Sequence, residues 1–167
     1  MPGPFELYLV RHAVAEERGD AWPDDRKRPL TAAGISRFRK AARGLATFGM
    51  SVDVILTSPL ARARQTADIL ASALGARVVT SEALAPGGSH QAILGDLEKH
   101  SKQAARIALV SHEPDIGQLA ARLCGLRHPL EFKKGGVCRI DVDAIPPAGS
   151  GILRWFAPQR MLKSLRD

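Results

Sequence analysis

A buried strand with a cation and an imidazole at its end is encoded by Phe5-Glu6-Leu7-Tyr8-Leu9-Val10-Arg11-His12-Ala13. The unbroken apolar run from Leu7 to Val10 predicts an interior strand covered on both faces. Arg11 and His12 follow where the strand ends, and ligands of open α/β sheets collect at the carboxyl ends of strands. A guanidinium beside an imidazole suits phosphate there, because arginine offers a fork of donors and histidine a nucleophile. Taken alone, this segment is equally compatible with a surface Arg-His pair.

Strand and helix patterns alternate along the rest of the chain. Further strands are predicted at 52–56, 77–80 and 106–110, and a helix follows each of them. Another helix, capped by Thr31, precedes the second strand, with a core face of Ile35, Phe38, Ala42, Leu45 and Phe48. The final strands, 136–142 and 151–156, are joined by a short connection that favours an antiparallel pair. The sequence therefore predicts a three-layer α/β/α sandwich with a mainly parallel central sheet and an antiparallel C-terminal strand pair.

Length and composition set bounds on the function. The 167 residues suggest one domain with a sizeable core. No apolar run approaches the ~20 residues that span a bilayer, and Met1-Pro2-Gly3-Pro4 lacks the features of a signal peptide. We therefore expect a cytoplasmic protein without membrane contact. The net charge of +7 permits an anionic partner, but the basic residues show little aromatic interleaving, so nucleic acid is not the expected partner. Cys124 and Cys138 are interpreted as buried small hydrophobes.

Polar residues follow three of the predicted strands. Arg11 and His12 follow the first strand, Thr57-Ser58 with Arg62 follows the second, and Ser111-His112 follows the fourth. Because the carboxyl ends of parallel strands meet at one edge of a sheet, two arginines and two histidines are predicted to converge there.

Such a cluster suits phosphoryl transfer, which depends mainly on positioning and electrostatic stabilisation. Guanidinium groups match phosphate oxygens bidentately. One neutral histidine would attack phosphorus while the other, protonated, would help to hold the oxygens. The chain lacks the ligand spacings of a zinc site and a carboxylate cluster suited to magnesium. We therefore expect neither a metal nor another cofactor.

Four motifs occur in order along the chain: Leu9-Val10-Arg11-His12-Ala13, Arg28-Pro29-Leu30-Thr31 with Gly34, Thr57-Ser58-Pro59-Leu60-Ala61-Arg62-Ala63-Arg64-Gln65-Thr66-Ala67, and Val110-Ser111-His112-Glu113-Pro114. Together they resemble the signatures of the histidine phosphatase superfamily, and within it those of the SixA-type phosphohistidine phosphatases. The third motif is the most specific. The resemblance covers nearly the whole chain, and it implies a phosphoglycerate mutase-like fold with one histidine phosphatase domain over residues 1–167.

The resemblance also implies roles for particular residues. His12 would be the phosphorylated nucleophile, and Arg11, Arg62 and His112 would complete the phosphate pocket. Arg28 would add a phosphate or substrate contact, the alternative being a surface arginine at a helix start. Ser58 would orient its neighbours or touch phosphate, the alternative being a turn hydroxyl before proline.

Two departures from the family pattern bear on the substrate. Ala13 stands where the wider family has glycine. Larger members carry a glutamate after the third strand as general acid, whereas the nearest carboxylate here, Glu82, has no place in the predicted pocket. Phosphohistidine needs less acid help than an ester, because imidazole is the better leaving group.

The favoured function is a metal-independent phosphatase acting on phosphohistidine in proteins. The alternatives are a broad-specificity or small-molecule phosphomonoesterase, and a phosphate- or nucleic-acid-binding module without catalysis. The short segment between the third and fourth strands predicts an open site, which favours a phosphorylated protein over a small phosphorylated substrate.

Overall fold

A computed structural model describes residues 3–165 of the chain. Its strands are β1 (Phe5–Arg11), β2 (Val54–Thr57), β3 (Arg77–Thr80), β4 (Arg106–Ser111), β5 (Val137–Val142) and β6 (Ile152–Ala157). Its helices are α1 (Ala32–Phe48), α2 (Ala61–Leu74), α3 (His90–Ser101), α4 (Asp115–Cys124) and α5 (Gln159–Lys163). Short 3₁₀ turns lie at Asp25–Lys27 and Glu82–Leu84. Each predicted strand and helix is present, with ends that differ from the prediction by one or two residues.

The strands form one six-stranded mixed sheet in the order β3-β2-β4-β1-β5-β6. Strand β4 pairs in parallel with both β1 and β2, and β2 pairs in parallel with β3. Strand β5 is antiparallel to both β1 and β6. The registers place Arg11 beside Ser111, and Thr57 beside Val110. The carboxyl ends of β1, β2 and β4 therefore share one edge of the sheet, as predicted.

Helices cover both faces of the sheet, which confirms the three-layer prediction. Alternate residues of β1 point to opposite faces. Leu7 and Leu9 pack in one apolar cluster with residues of α3 and α4. Tyr8 and Val10 pack in a second cluster with residues of α1, α2 and α5. No helix among residues 3–165 has the length and apolar character needed to cross a bilayer.

The start of α1 is locked to the loop after β1. The Thr31 hydroxyl accepts the Gly34 N–H at 2.8 Å, which confirms the predicted N-cap. The Thr31 N–H in turn donates to the Val14 carbonyl at 3.0 Å. A Cβ atom on Gly34 would lie only 2.2 Å from that carbonyl oxygen. Glycine therefore allows the helix to approach the loop that begins directly after His12.

One residue assigned to the core face of α1 lies outside the core. The Phe48 side chain is 55% exposed, although its ring meets that of Trp155 edge-on at 5.7 Å. Phe48 is the last residue of α1, so only part of its ring reaches the neighbouring strand. Apolar spacing marks the side of a helix but not the length over which a partner covers it.

Candidate active site

A cleft of about 380 Å³ opens at the carboxyl edge of the sheet. It is lined by Arg11, His12, Ala15, Glu16, Glu17, Arg18, Arg28, Arg62, Pro86, His112, Glu113 and Lys134. Five of the six predicted site residues therefore line one cleft. The sixth, Ser58, is fully buried and contacts His112 behind the wall.

The hydrogen bond of His12 determines which ring nitrogen carries its proton. Its Nδ1 atom lies 2.7 Å from the carbonyl oxygen of Ala13. Because a carbonyl only accepts, Nδ1 must donate, and the lone pair of the neutral ring lies on Nε2. Burial, aided by the charges of Arg62 and Arg11, lowers the pKa of His12 to about 4. His12 is therefore neutral at pH 7, with a nitrogen lone pair available for attack.

His112 lies next to His12 and is held by Ser58. The two imidazole centroids are 5.1 Å apart, and the Nε2 atom of His112 lies 2.7 Å from the Ser58 hydroxyl. That hydroxyl also accepts the Leu60 N–H at 3.2 Å. Burial, with the neighbouring His12 next in importance, lowers the pKa of His112 to about 3. Neither imidazole is protonated at pH 7 in this structure, which differs from the predicted pairing of one neutral and one charged ring.

A phosphate dianion would change this balance, because a nearby negative charge favours the protonated form of a histidine. The protonated role predicted for His112 therefore requires a bound anion.

Several buried donors of the cleft lack a hydrogen-bond partner. Arg11 donates from Nη1 to the Phe132 carbonyl at 2.7 Å, but its Nε has no partner within residues 3–165. The same holds for Nε of Arg62 and for Nδ1 of His112, which is a donor in the tautomer in which the Ser58 hydroxyl donates to Nε2. Buried polar groups in proteins are almost always satisfied, so donors left over in one cleft indicate a site for an acceptor-rich ligand. Two of the three belong to guanidinium ions, which favours an anion.

Arg28 is buried rather than displayed at the surface. Only 8% of the residue is exposed. Its Nη1 donates to the Glu16 carbonyl at 2.6 Å, and its Nε donates to the Asp25 carboxylate at 2.8 Å. These contacts place Arg28 in the wall of the cleft. Arg64, two residues after Arg62, is 45% exposed and pairs with Asp68.

Six charged residues at or near the cleft were not among the predicted site residues. Asp25 contacts Arg28 and Arg62. The other five line the wall: Glu16, Glu17, Arg18, Glu113 and Lys134. The sequence feature that could have identified Asp25 is its position three residues before Arg28, because this spacing brings side chains together on one turn of a helix. No comparable local pattern indicates Lys134. This residue lies just before β5, and it reaches the cleft because β5 pairs with β1.

The carboxylates around the cleft differ in how they are used. Glu82 is 76% exposed, pairs with Arg26 at 3.5 Å, and does not line the cleft. Glu113 accepts the Gly117 N–H at 2.8 Å and so caps the start of α4. Burial raises the pKa of Glu113. Across residues 3–165, no group of three or more His, Cys, Asp or Glu side chains is arranged to hold a metal ion.

Comparison with known proteins places this architecture. Residues 7–86 match the model of the histidine phosphatase superfamily (branch 1). The chain is 43% identical to an uncharacterised protein of Picosynechococcus, over 80% of this chain and 82% of that one. It is 28% identical to the phosphohistidine phosphatase SixA of Escherichia coli, over 90% and 92% of the two chains. A solved structure of the protein histidine phosphatase SixA complexed with tungstate superposes with a TM-score of 0.81 and 26% identity, over 95% of this chain and 99% of that one.

The superposition shows that the overall fold of this chain agrees with that of the SixA structure. The chain belongs to the histidine phosphatase superfamily and is of the SixA type.

Proposed function

We propose that this protein is a metal-independent phosphatase that removes the phosphoryl group from phosphohistidine in proteins. The observation that carries the proposal is the combination of a neutral His12 and unsatisfied buried donors in one cleft. The lone pair of His12 on Nε2 would attack phosphorus. Nε of Arg11, Nε of Arg62 and Nδ1 of His112 would receive the phosphate oxygens.

The reaction would proceed in two transfers. In the first, a bond forms between Nε2 of His12 and phosphorus as the bond to the substrate imidazole breaks. The substrate ring, protonated on its other nitrogen when the transfer begins, takes back the electron pair of the broken bond, keeps that proton and departs as neutral imidazole. In the second, a water oxygen bonds to phosphorus, the bond to Nε2 breaks, and both water protons leave with the orthophosphate product. His12 is regenerated neutral, with Nδ1 still donating to Ala13.

The position of Glu82 supports a phosphoramidate substrate over an ester. An alkoxide leaving group needs a proton in the transition state, whereas imidazole needs less acid help. Glu82 lies outside the cleft, and Glu113, one of the three glutamates that line it, accepts a hydrogen bond from the backbone of α4. The SixA relatives, whose names specify phosphohistidine, support the same choice and match this chain over most of its length.

Arg28 is proposed as a further phosphate contact and Ser58 as the residue that orients His112. The one sheet and its two apolar layers support a single histidine phosphatase domain over the chain. A phosphorylated protein is the proposed partner, and a small phosphorylated molecule is the alternative.

The test is phosphate release from a phosphohistidine-bearing protein and from p-nitrophenyl phosphate, both in EDTA. Faster turnover of the protein substrate, lost in His12→Ala, is expected. Faster turnover of the ester would replace the proposal by a general phosphomonoesterase. Activity that disappears in EDTA and returns with added metal would overturn the metal-free mechanism.

A further inference from the structure

One carboxylate, that of Asp25, lies among the arginines of the cleft. Its Oδ1 atom is 2.8 Å from Nε of Arg28 and 3.8 Å from Nε of Arg18. Its Oδ2 atom is 3.1 Å from Nη2 of Arg62. Within residues 3–165, no other carboxylate is at ion-pair distance from Arg28 or Arg62. Asp25 therefore bridges Arg28 and Arg62, the two arginines that bind phosphate in the proposed function.

Neither arginine depends on the Asp25 carboxylate alone for its place. Nη1 of Arg62 donates to the backbone carbonyl of Asp25 at 2.9 Å, a contact that a side-chain substitution leaves intact. Nη1 of Arg28 donates to the backbone carbonyl of Glu16 at 2.6 Å. Both side chains are also nearly buried, with 3% of Arg62 and 9% of Arg28 exposed. The distinct contribution of the carboxylate is therefore its charge.

The effect of the Asp25 charge can be seen by comparing it with the charges of the three nearby arginines. Arg11, Arg28 and Arg62 carry three permanent positive charges. The hydrogen bond from Arg28 lowers the pKa of Asp25, so the carboxylate is ionised at pH 7. These four groups together carry +2, and the cleft is further lined by Arg18, Lys134, Glu16, Glu17 and Glu113. Without the carboxylate they would carry +3, and the buried guanidinium ions of Arg28 and Arg62 would lack their carboxylate counter-ion whenever the phosphate had left.

We propose that Asp25 is the resident counter-ion of the phosphate cleft. Between turnovers it neutralises part of the charge of Arg28 and Arg62. During turnover it weakens the binding of orthophosphate, so that release of this product does not limit the rate. The inference rests on the proposed function, because it takes the cleft to be the phosphate site. Asp25 is not a catalytic residue here, since it acts on phosphate through the charge balance of the arginines.

The alternative role for Asp25 is to position the arginines. The two roles predict opposite changes in the affinity for an anion when the carboxylate is removed. Loss of a counter-ion strengthens the binding of an anion, whereas loss of a positioning contact weakens it. The substitution Asp25→Asn separates them, because it removes the charge and keeps the size of the side chain and the backbone carbonyl.

Asp24 offers a matched control. It neighbours Asp25 and has the same charge, but its side chain accepts the Arg26 N–H at 3.1 Å and caps the 3₁₀ turn. No ion pair joins Asp24 to Arg28 or Arg62 within the described residues. Asp24→Asn therefore removes the same charge from the same loop without touching the cleft arginines.

The experiment is calorimetric titration of orthophosphate into the full chain at neutral pH and low ionic strength. Asp25→Asn is expected to bind about tenfold more tightly than the wild type, the scale of one partly buried charge acting on a dianion. Asp24→Asn is expected to stay within about twofold, because an exposed charge is screened. Asp25→Glu, which keeps the charge, is expected to stay within about threefold of the wild type.

Steady-state kinetics provide a second test, because loss of a counter-ion changes kcat and KM in a way that loss of a purely structural contact would not. If orthophosphate release becomes slow, Asp25→Asn lowers kcat and KM together. The dephosphorylated protein, which leaves in the first transfer, then appears in a burst during the first turnover. Its inhibition by orthophosphate becomes stronger by the same factor as its binding.

Unchanged or weaker orthophosphate binding by Asp25→Asn would overturn the counter-ion role. So would a variant that folds neither with nor without orthophosphate, because Asp25 would then serve the fold. A variant that folds only with orthophosphate supports the role, since the anion has replaced the carboxylate. The binding measurement needs no turnover. A wild type that binds orthophosphate but does not hydrolyse phosphohistidine would therefore refute only the proposed substrate.

Discussion

The imidazoles of His12 and His112 lie with their centroids 5.1 Å apart and their planes tilted by 56°, although they end different strands of the sheet. Two neutral rings are tolerated at this separation in a buried site. Protonation of either ring puts a positive charge beside the other and beside Arg62 and Arg11. This arrangement links the stability of the protein to pH.

The free energy of unfolding should fall as the pH is lowered from about 6.5 to about 4. Burial lowers the pKa of His12 from 6.5 to about 4 in the folded protein. Below the pKa of an unfolded histidine, ~6.5, the unfolded chain binds protons that the folded site refuses, so unfolding is favoured. The stability is present in full above that value. Urea unfolding at several pH values measures it.

The variant His12→Gln should lose less stability over the same window, because one of the two buried imidazoles of the cleft is gone. His128→Gln, at an exposed position, should follow the wild type. An identical pH dependence in His12→Gln and the wild type would contradict the buried, neutral state of His12.

Replacement of His12 by alanine should abolish turnover and leave the fold intact. The ring supplies the proposed nucleophile, because the hydrogen bond from Nδ1 to the Ala13 carbonyl leaves the lone pair on Nε2. Phosphate release and the circular dichroism spectrum test both parts. His128→Ala is the control, since His128 lies on the surface. Residual turnover of His12→Ala at wild-type rates would assign the nucleophile elsewhere.

Removal of the Ser58 hydroxyl should slow turnover about tenfold, corresponding to ~1.4 kcal/mol for one buried hydrogen bond. Ser58→Ala leaves Nε2 of His112 without its partner at 2.7 Å, so the ring can turn away from the proposed phosphate position. The effect should appear in kcat for a phosphohistidine protein. Ser72→Ala, at an exposed position of α2, should change nothing. A Ser58→Ala enzyme with unchanged kcat would restrict Ser58 to the turn before α2.

A methyl group on Gly34 should destabilise the protein by ~1–3 kcal/mol, the usual cost of an overpacked site. The added Cβ would meet the Val14 carbonyl at 2.2 Å, which is backbone and has little room to move. Gly95→Ala is the matched helical control, because nothing lies within 4 Å of its added Cβ. That substitution should stabilise α3 by ~0.5–1 kcal/mol, since alanine is the better helix former.

Thermal unfolding of both glycine variants measures this difference. Because Gly34 supports the loop after β1, the Gly34→Ala variant should also lose activity. Equal stabilities for the two variants would refute the close approach of α1 to Val14.

Local patterns were sufficient for most of the architecture. The apolar run of β1 has the composition of a strand covered on both faces, and Thr31 has the side chain that caps a helix. Parallel strands bring their carboxyl ends to one edge, so the meeting of Arg11, Arg62 and His112 followed from the order of elements.

The layers, the sheet edge and the residues at that edge could be predicted from the amino-acid sequence, because they depend on short-range periodicity and chain order. The three-dimensional arrangement was needed to show that Phe48 is exposed, that Asp25 bridges Arg28 and Arg62, and that both histidines are neutral. Exposure, ion pairing and pKa depend on which groups surround a side chain in space. Those neighbours come from distant parts of the chain, and no local pattern specifies them.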